Sequence, residues 1–91
     1  MTAPAPAPSR VLLLTQDDCA YCDQAKDVLR RVAADTPLDV EELGLTTPRG
    51  AALALDAGLM FAPGVFVDGR FLSHGRLSEK KLRKALATPR P

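Results

Sequence analysis

The sequence predicts an α/β domain in which helices flank a four-stranded mixed sheet, with the element order β-α-β-α-β-β-α. Three observations lead to this fold class: a uniformly apolar run at residues 11–14, helical periodicity in the residues that follow it, and two apolar runs joined by Asp68-Gly69. A chain of 91 residues forms one domain and has no room for two. Its apolar share of 46% and charged share of 25% are typical of globular rather than disordered proteins.

The first strand and the first helix are predicted by a change of pattern near Cys19. Residues 11–14 read Val-Leu-Leu-Leu, which is typical of a central strand buried on both faces. From Cys19 to about residue 34, apolar side chains recur at helical spacing, at Ala25, Val28, Leu29, Val32 and Ala33. We expect Asp17 or Asp18 to cap this helix and Thr36-Pro37 to end it.

The second strand and the second helix have clear boundaries in the sequence. Residues 38–41 alternate between apolar and acidic, which predicts an edge strand with one solvated face, and Gly44 ends it. Thr47-Pro48 has the residue types of a helix N-cap and first helical position. The Ala- and Leu-rich residues 49–57 then predict a helix that Gly58 closes with a left-handed cap.

The last part of the chain predicts a hairpin and a helix. Two apolar runs joined by the two residues Asp68-Gly69 are typical of a tight β-hairpin. Ser78 can cap a final helix over residues 79–87, with Leu82 directed inward. A crossover through a helix makes the first two strands parallel, and the hairpin adds an antiparallel pair. The sheet is therefore mixed.

The two cysteines of the protein lie in one run, Cys19-Ala20-Tyr21-Cys22, at the predicted junction of strand and helix. In the first turn of a helix, residues three apart share a face, so both sulfurs can point the same way. The unpaired N–H groups and the positive end of the helix dipole favour a thiolate there, whereas the carboxylates of Asp17 and Asp18 oppose it. A thiolate with a second thiol in reach is suited to reversible disulfide chemistry.

Charge and hydropathy exclude several classes of function. A formal net charge of +1 argues against nucleic-acid binding. Residues 70–91 carry seven basic side chains and one acidic side chain, which indicates a solvated helix face or, as the alternative, a docking surface for an acidic partner. The start Met-Thr-Ala-Pro lacks the apolar core of a signal peptide, and no run approaches the roughly 20 apolar residues of a membrane span. We expect a cytoplasmic protein with no membrane partner.

Two boundaries complete the predicted organisation. Residues 1–9 alternate Ala and Pro in large part, and we expect them to form an extended, mobile tail. Residues 10–88 are expected to form the domain.

The cysteine run, the element order and the segment Ala62-Pro63-Gly64-Val65-Phe66-Val67-Asp68-Gly69 together resemble the thioredoxin fold in its minimal, glutaredoxin-like form. The resemblance covers roughly residues 10–87. It implies a disulfide reductase in which Cys19 is the nucleophile and Cys22 resolves the mixed disulfide. It also implies that Pro63 is cis, and it assigns substrate contacts to Tyr21, Ala62, Pro63 and Gln16.

The resemblance also sets expectations for cofactors and partners. We expect no metal and no cofactor beyond the redox-active disulfide, with a low-molecular-weight thiol such as glutathione as a co-substrate. The expected partners are disulfide-containing protein clients and a thiol or flavoprotein reductant, and the chain is expected to be a monomer.

Three residues depart from the glutaredoxin pattern. Ala20 stands where these proteins commonly have Pro, and Gln16 stands where they often have Lys. Arg76 follows Ser73-His74-Gly75 at the place where an acidic residue holds the amino end of glutathione. Another small thiol or a protein disulfide is therefore a substrate candidate beside glutathione.

Several side chains keep two interpretations. Lys26 lies one helical turn after Cys22 and either assists its deprotonation or is a solvated helix lysine. His74 either contacts substrate or is a bystander in a loop. Met60 and Phe61 form an apolar rim beside the site or, more commonly for such residues, fill the core.

Two other functions compete with the redox interpretation. The cysteine pair is half of a structural zinc site, and because His74 is the one further soft donor, a zinc or iron–sulfur centre would have to be shared between two chains. A non-catalytic interaction module with the same fold is the second alternative.

Overall fold

The structure is a computed structural model that describes residues 7–87. Its elements are β1 (Ser9–Thr15), α1 (Ala20–Ala33), β2 (Leu38–Gly44), α2 (Pro48–Ala57), β3 (Gly64–Val67), β4 (Arg70–His74) and α3 (Glu79–Ala87). This is the order that the sequence predicts. β1 begins at Ser9, the last residue assigned to the tail, while residues 1–6 and 88–91 lie outside the described residues.

The four strands form one mixed sheet in the spatial order β2-β1-β3-β4. β1 runs parallel to β2 and antiparallel to β3, and β3 and β4 form the antiparallel hairpin. The predicted central strand and the predicted edge strand, β2, are both confirmed. The hairpin turn at Asp68-Gly69 and the caps at Thr47 and Gly58 also form as the sequence predicts.

Side chains of β1 alternate between two apolar clusters on opposite faces of the sheet. Val11 and Leu13 pack with residues of α1 and α3, including Leu82. Leu14 packs on the other face with Phe66 and Ala54 of α2. Fully burying a side chain such as Leu13 stabilises the fold by about 1.5–3 kcal/mol. These two clusters hold the sheet between its helices.

The edge strand β2 is less buried than its alternating pattern predicts. Leu38 is half-buried, and Val40 keeps 40% of its surface exposed. This exposure arises because β2 lies at the edge of the sheet, where solvent reaches side chains beside α1.

None of the helices within residues 7–87 is long and apolar enough to cross a membrane.

Two ion pairs join α3 to the end of α1 and to Asp35 just after it, and a third ion pair lies within α3. Arg31 Nε lies 3.0 Å from Glu79 Oε1, and Arg83 binds Glu79 Oε2 at 3.0 Å and Asp35 Oδ1 at 2.8 Å. The hydrogen bond from Arg83 lowers the pKa of Asp35, helped by the Thr36 hydroxyl. Hydrogen bonds from Arg31 and then Arg83 lower the pKa of Glu79. The C-terminal basic residues do not all face solvent without a partner, because Arg83 joins α3 to Asp35, just after the end of α1.

We predict that Arg83→Met lowers the melting temperature slightly at pH 7. Both carboxyl groups have lowered pKa values in the folded protein, so their contribution is present above the ordinary values of 3.8 and 4.5. That contribution is lost as the pH falls through the lowered values. The difference between variant and wild type should therefore shrink in acid, and also in high salt, as followed by thermal circular dichroism.

Lys81→Met is the matched control, because Lys81 lies on the same helix and its side chain joins none of the ion pairs within residues 7–87. An equal, pH-independent loss in both variants would contradict a stabilising role for the cluster.

Candidate active site

The first cysteine is itself the N-cap of α1. Cys19 has an extended backbone, with φ −119° and ψ 102°, and its sulfur accepts a hydrogen bond from the Cys22 N–H at 3.0 Å. The predicted cap by Asp17 or Asp18 is wrong, because both residues are used in the turn between β1 and the helix, where Asp18 has a φ of 50°. The turn places the sulfur at the position that a capping oxygen usually takes.

Cys19 and Cys22 are joined by a disulfide, with their Cα atoms 5.2 Å apart. No free cysteine occurs in the described part of the chain. Cys19 is half-exposed, whereas Cys22 keeps only 2% of its surface accessible among the core residues of α1. A reactant that approaches from solvent therefore meets the sulfur of Cys19 first.

The segment before β3 forms the wall opposite the disulfide. Leu14 pairs with Gly64 at the end of the β1–β3 ladder, so the chain that leaves β1 and the chain that enters β3 lie next to each other at the same end of the two strands. There Ala62 and Pro63 are buried, their peptide bond is cis, and the Ala62 carbonyl oxygen lies 3.9 Å from Cys19 Sγ. In the disulfide the sulfur carries no hydrogen, so this is a packing contact.

Residues 75–77 complete the site by bridging Pro63 and α1. The Gly75 N–H donates to the Pro63 carbonyl at 2.9 Å, and Gly75 has a φ of 73°, a conformation that favours glycine. Gln24 donates to the Leu77 carbonyl and accepts from the Leu77 N–H, both at 2.8 Å. Sequence reasoning missed Gln24, since its partner lies 53 residues away and no local pattern indicates it.

Three large side chains in the segments around the disulfide are exposed. Tyr21 keeps 56% of its surface accessible, Phe61 71% and Met60 80%. The expectation that Met60 and Phe61 fill the core is therefore wrong, and they precede Ala62 on the surface instead. Gln16 is also exposed and directly follows β1. The structure thus places the four predicted substrate-contact residues, Gln16, Tyr21, Ala62 and Pro63, on segments next to the disulfide.

Charged residues near the disulfide divide into solvated and paired groups. Asp17, Asp18 and Asp23 are exposed, so water and salt screen their effect on the sulfurs. Lys26 Nζ lies 3.3 Å from Glu42 Oε1, so the lysine is held by an ion pair at the sheet edge. His74 is exposed and its ring stacks on Phe71, with centroids 6.4 Å apart. Within residues 7–87, no group of three or more His, Cys, Asp or Glu side chains is placed to hold a metal ion.

Comparison with known proteins identifies the fold and the family. The family model described as "Thioredoxin domain" matches residues 10–87. A probable thioredoxin from Archaeoglobus fulgidus is 28% identical over 74 residues, which are 81% of this chain and 81% of that protein.

Two solved structures share the fold. A mutant thioredoxin from Halobacterium salinarum has a TM-score of 0.63 and 21% identity, over 88% of this chain and 73% of that one. Glutaredoxin 1 from Francisella tularensis has a TM-score of 0.56 and 16% identity, over 84% of this chain and 90% of that one. Both thioredoxins and glutaredoxins are thus among the structural neighbours.

We predict that Gln24→Leu destabilises the protein by about 1–3 kcal/mol, since it removes two hydrogen bonds that hold Leu77 against α1. Urea denaturation of the oxidised protein measures this loss. Gln16→Leu is the control, because Gln16 is exposed, and it should change stability by no more than about 0.5 kcal/mol. Equal effects of the two substitutions would show that the bridge contributes nothing.

Proposed function

The chain belongs to the thioredoxin-domain family. From that membership and from the geometry of the cysteine pair, we propose that it reduces protein disulfides or mixed disulfides that contain a small thiol. Membership in the family and the Cys19–Cys22 disulfide support a thiol–disulfide oxidoreductase in general. The observation that carries the proposal is the unequal exposure of the two bonded sulfurs, with Cys19 half-exposed at the helix start and Cys22 buried behind it.

The first step is attack by the reduced enzyme on a substrate disulfide. The Cys19 thiolate attacks one substrate sulfur, which forms a Cys19–substrate disulfide and releases the other substrate sulfur as a thiolate. The Cys22 N–H, 3.0 Å from Cys19 Sγ, and the positive end of the α1 dipole both favour the thiolate form of Cys19. The capping sulfur is thus also the nucleophile.

The second step restores the disulfide seen in the structure. The Cys22 thiolate attacks Cys19 Sγ, so the Cys19–Cys22 bond forms and the second substrate sulfur leaves as a thiolate. Two electrons have then passed from the dithiol to the substrate. Before the next cycle, a thiol or a flavoprotein reductant has to supply two electrons, which reduce the Cys19–Cys22 disulfide back to the dithiol. In a reducing cytoplasm, net reduction of clients is the favoured direction.

The exposed side chains beside the disulfide provide a surface for a client. Tyr21 lies between the two cysteines in the chain, Phe61 directly precedes Ala62, and both side chains are more than half exposed. Apolar groups at such a site are suited to an extended peptide segment next to the disulfide being reduced. The backbone of Ala62, whose carbonyl oxygen contacts Cys19 Sγ, is the group that the main chain of that segment would pair with.

We predict that Cys22→Ser reacts with substrate disulfides but cannot complete the cycle, so that it accumulates in disulfide linkage with its clients through Cys19. Cys19→Ser, which keeps only the buried sulfur, should capture nothing and should lose disulfide reductase activity. Non-reducing gel electrophoresis and mass spectrometry of cell extract measure capture by the two matched variants. Equal capture by both would contradict the assignment of Cys19 as the nucleophile.

Reactivity and metal content separate this proposal from its rivals. In the reduced protein, iodoacetamide should alkylate Cys19 at least about tenfold faster than Cys22 at neutral pH. Two equally slow thiols would instead indicate an inert interaction module. Stoichiometric zinc or iron in anaerobically purified protein, lost in Cys19→Ser, would favour a metal or cluster centre shared between chains.

A further inference from the structure

Arg76 is held beside the disulfide by its neighbours on both sides. Gly75, which precedes it, donates to the carbonyl of Pro63, and Leu77, which follows it, is bound twice by Gln24 of α1. Pro63 follows Ala62, whose carbonyl oxygen contacts Cys19 Sγ, and α1 carries the disulfide at its first turn. The backbone of Arg76 therefore lies between its attachment to Pro63 and its attachment to α1, while its side chain is exposed.

The charge of Arg76 is not used by the fold. Arg83, Arg31, Arg30, Arg49 and Lys26 all form ion pairs with carboxylates. Arg76 takes part in none of the ion pairs or hydrogen bonds among the described residues 7–87. A guanidinium without an internal partner, on a well-anchored backbone, can bind a carboxylate of another molecule with little loss of backbone freedom.

The sheet order separates this cation from the acidic residues of the site. Because β3 lies between β1 and β4, the segment at Pro63 stands between the turn after β1 and the loop after β4. The turn carries the exposed Asp17 and Asp18, and the loop carries Arg76. A bound disulfide substrate therefore meets negative charge on one side of Ala62–Pro63 and positive charge on the other.

We propose that Arg76 makes the site selective for disulfides that carry a carboxylate beside the reacting sulfur, on the side of the substrate that faces the loop after β4. The carboxylate can belong to an acidic residue of an extended peptide or to a small acidic thiol. This inference rests on the proposed reductase function and adds the charge of the substrate to it. The acidic turn at Asp17 and Asp18 disfavours the same carboxylate on the opposite side.

Matched peptide disulfides test the proposal. Three short peptides each contain one cysteine and differ only in its two neighbours. The first has Glu before the cysteine and Gln after it, the second has Gln before and Glu after, and the third has Gln at both positions. Each cysteine forms a mixed disulfide with uncharged 2-mercaptoethanol. Single-turnover rates with the reduced protein should be about two- to fivefold higher for one of the Glu peptides than for the Gln peptide. This ratio should fall in high salt and should drop to one or below in Arg76→Glu.

Arg70→Glu is the control, since Arg70 is also an exposed arginine but lies at the other end of β4, beside the hairpin turn and away from the disulfide. It should leave the ratio unchanged, and Arg76→Lys should keep part of it. Disulfides of mercaptoacetate and of 2-mercaptoethanol, compared in the same way, show whether a small acidic thiol is sufficient or a peptide is needed.

Three results would overturn the inference. A ratio that Arg76→Glu does not change, with all three peptides still reduced, would exclude Arg76 as the selective residue and leave the reductase function standing. A ratio that Arg70→Glu changes as much would assign the effect to overall charge. If the wild-type protein reduces none of the peptides, the reductase function and the inference both fail.

Discussion

The antiparallel pairing of β1 with β3 is the constraint on which the site depends. Cys19 and Ala62 are 43 residues apart in the chain, and they meet because Leu14 is in register with Gly64. A shift of that register by one residue would turn the side chains of β3 to the opposite face of the sheet. Val65 and Phe66 are buried in different apolar clusters, so such a shift would expose both to the wrong environment. Packing on the two faces of the sheet thus fixes which backbone atoms face the disulfide.

The same junction divides the roles of the two sulfurs. β1 is a central strand and α1 packs on one of its faces. The helix therefore begins beyond the C-terminal end of β1, and the residues that follow its first turn lie in the core. Cys19, outside the first turn, remains accessible, while Cys22, three residues later, is enclosed. This orientation of the helix start leaves one sulfur accessible to solvent and places its partner within bonding distance behind it. The chemistry of the pair follows from its position in the fold as much as from the thiol groups.

The loop after β4 links the dithiol to the far end of the chain. It is fastened to Pro63 through Gly75 and to α1 through Gln24, and it leads directly into α3. α3 is in turn joined to the end of α1 by the ion pairs of Glu79 with Arg31 and of Arg83 with Asp35. These contacts give the residues around Arg76 a defined place beside the site, although they come from the last quarter of the chain. The polar contacts at both ends of α1 therefore hold the third side of the site in position.

The local elements were determined by the sequence alone, whereas the surroundings of the disulfide were decided by the tertiary structure. Thr47, Gly58 and Asp68-Gly69 act on the backbone within a few residues of themselves, so their conformational preferences predict the caps and the hairpin turn directly. The cap of α1 could not be predicted in this way, because the length of the turn after β1 selects Cys19 over two residues with stronger capping preference. The exposure of Met60 and Phe61 and the hydrogen bonds of Gln24 depend on segments far away in the chain, and no local pattern contains them. Short-range preferences can be read from neighbouring residues, but burial and long-range hydrogen bonds exist only once the sheet has brought distant segments together.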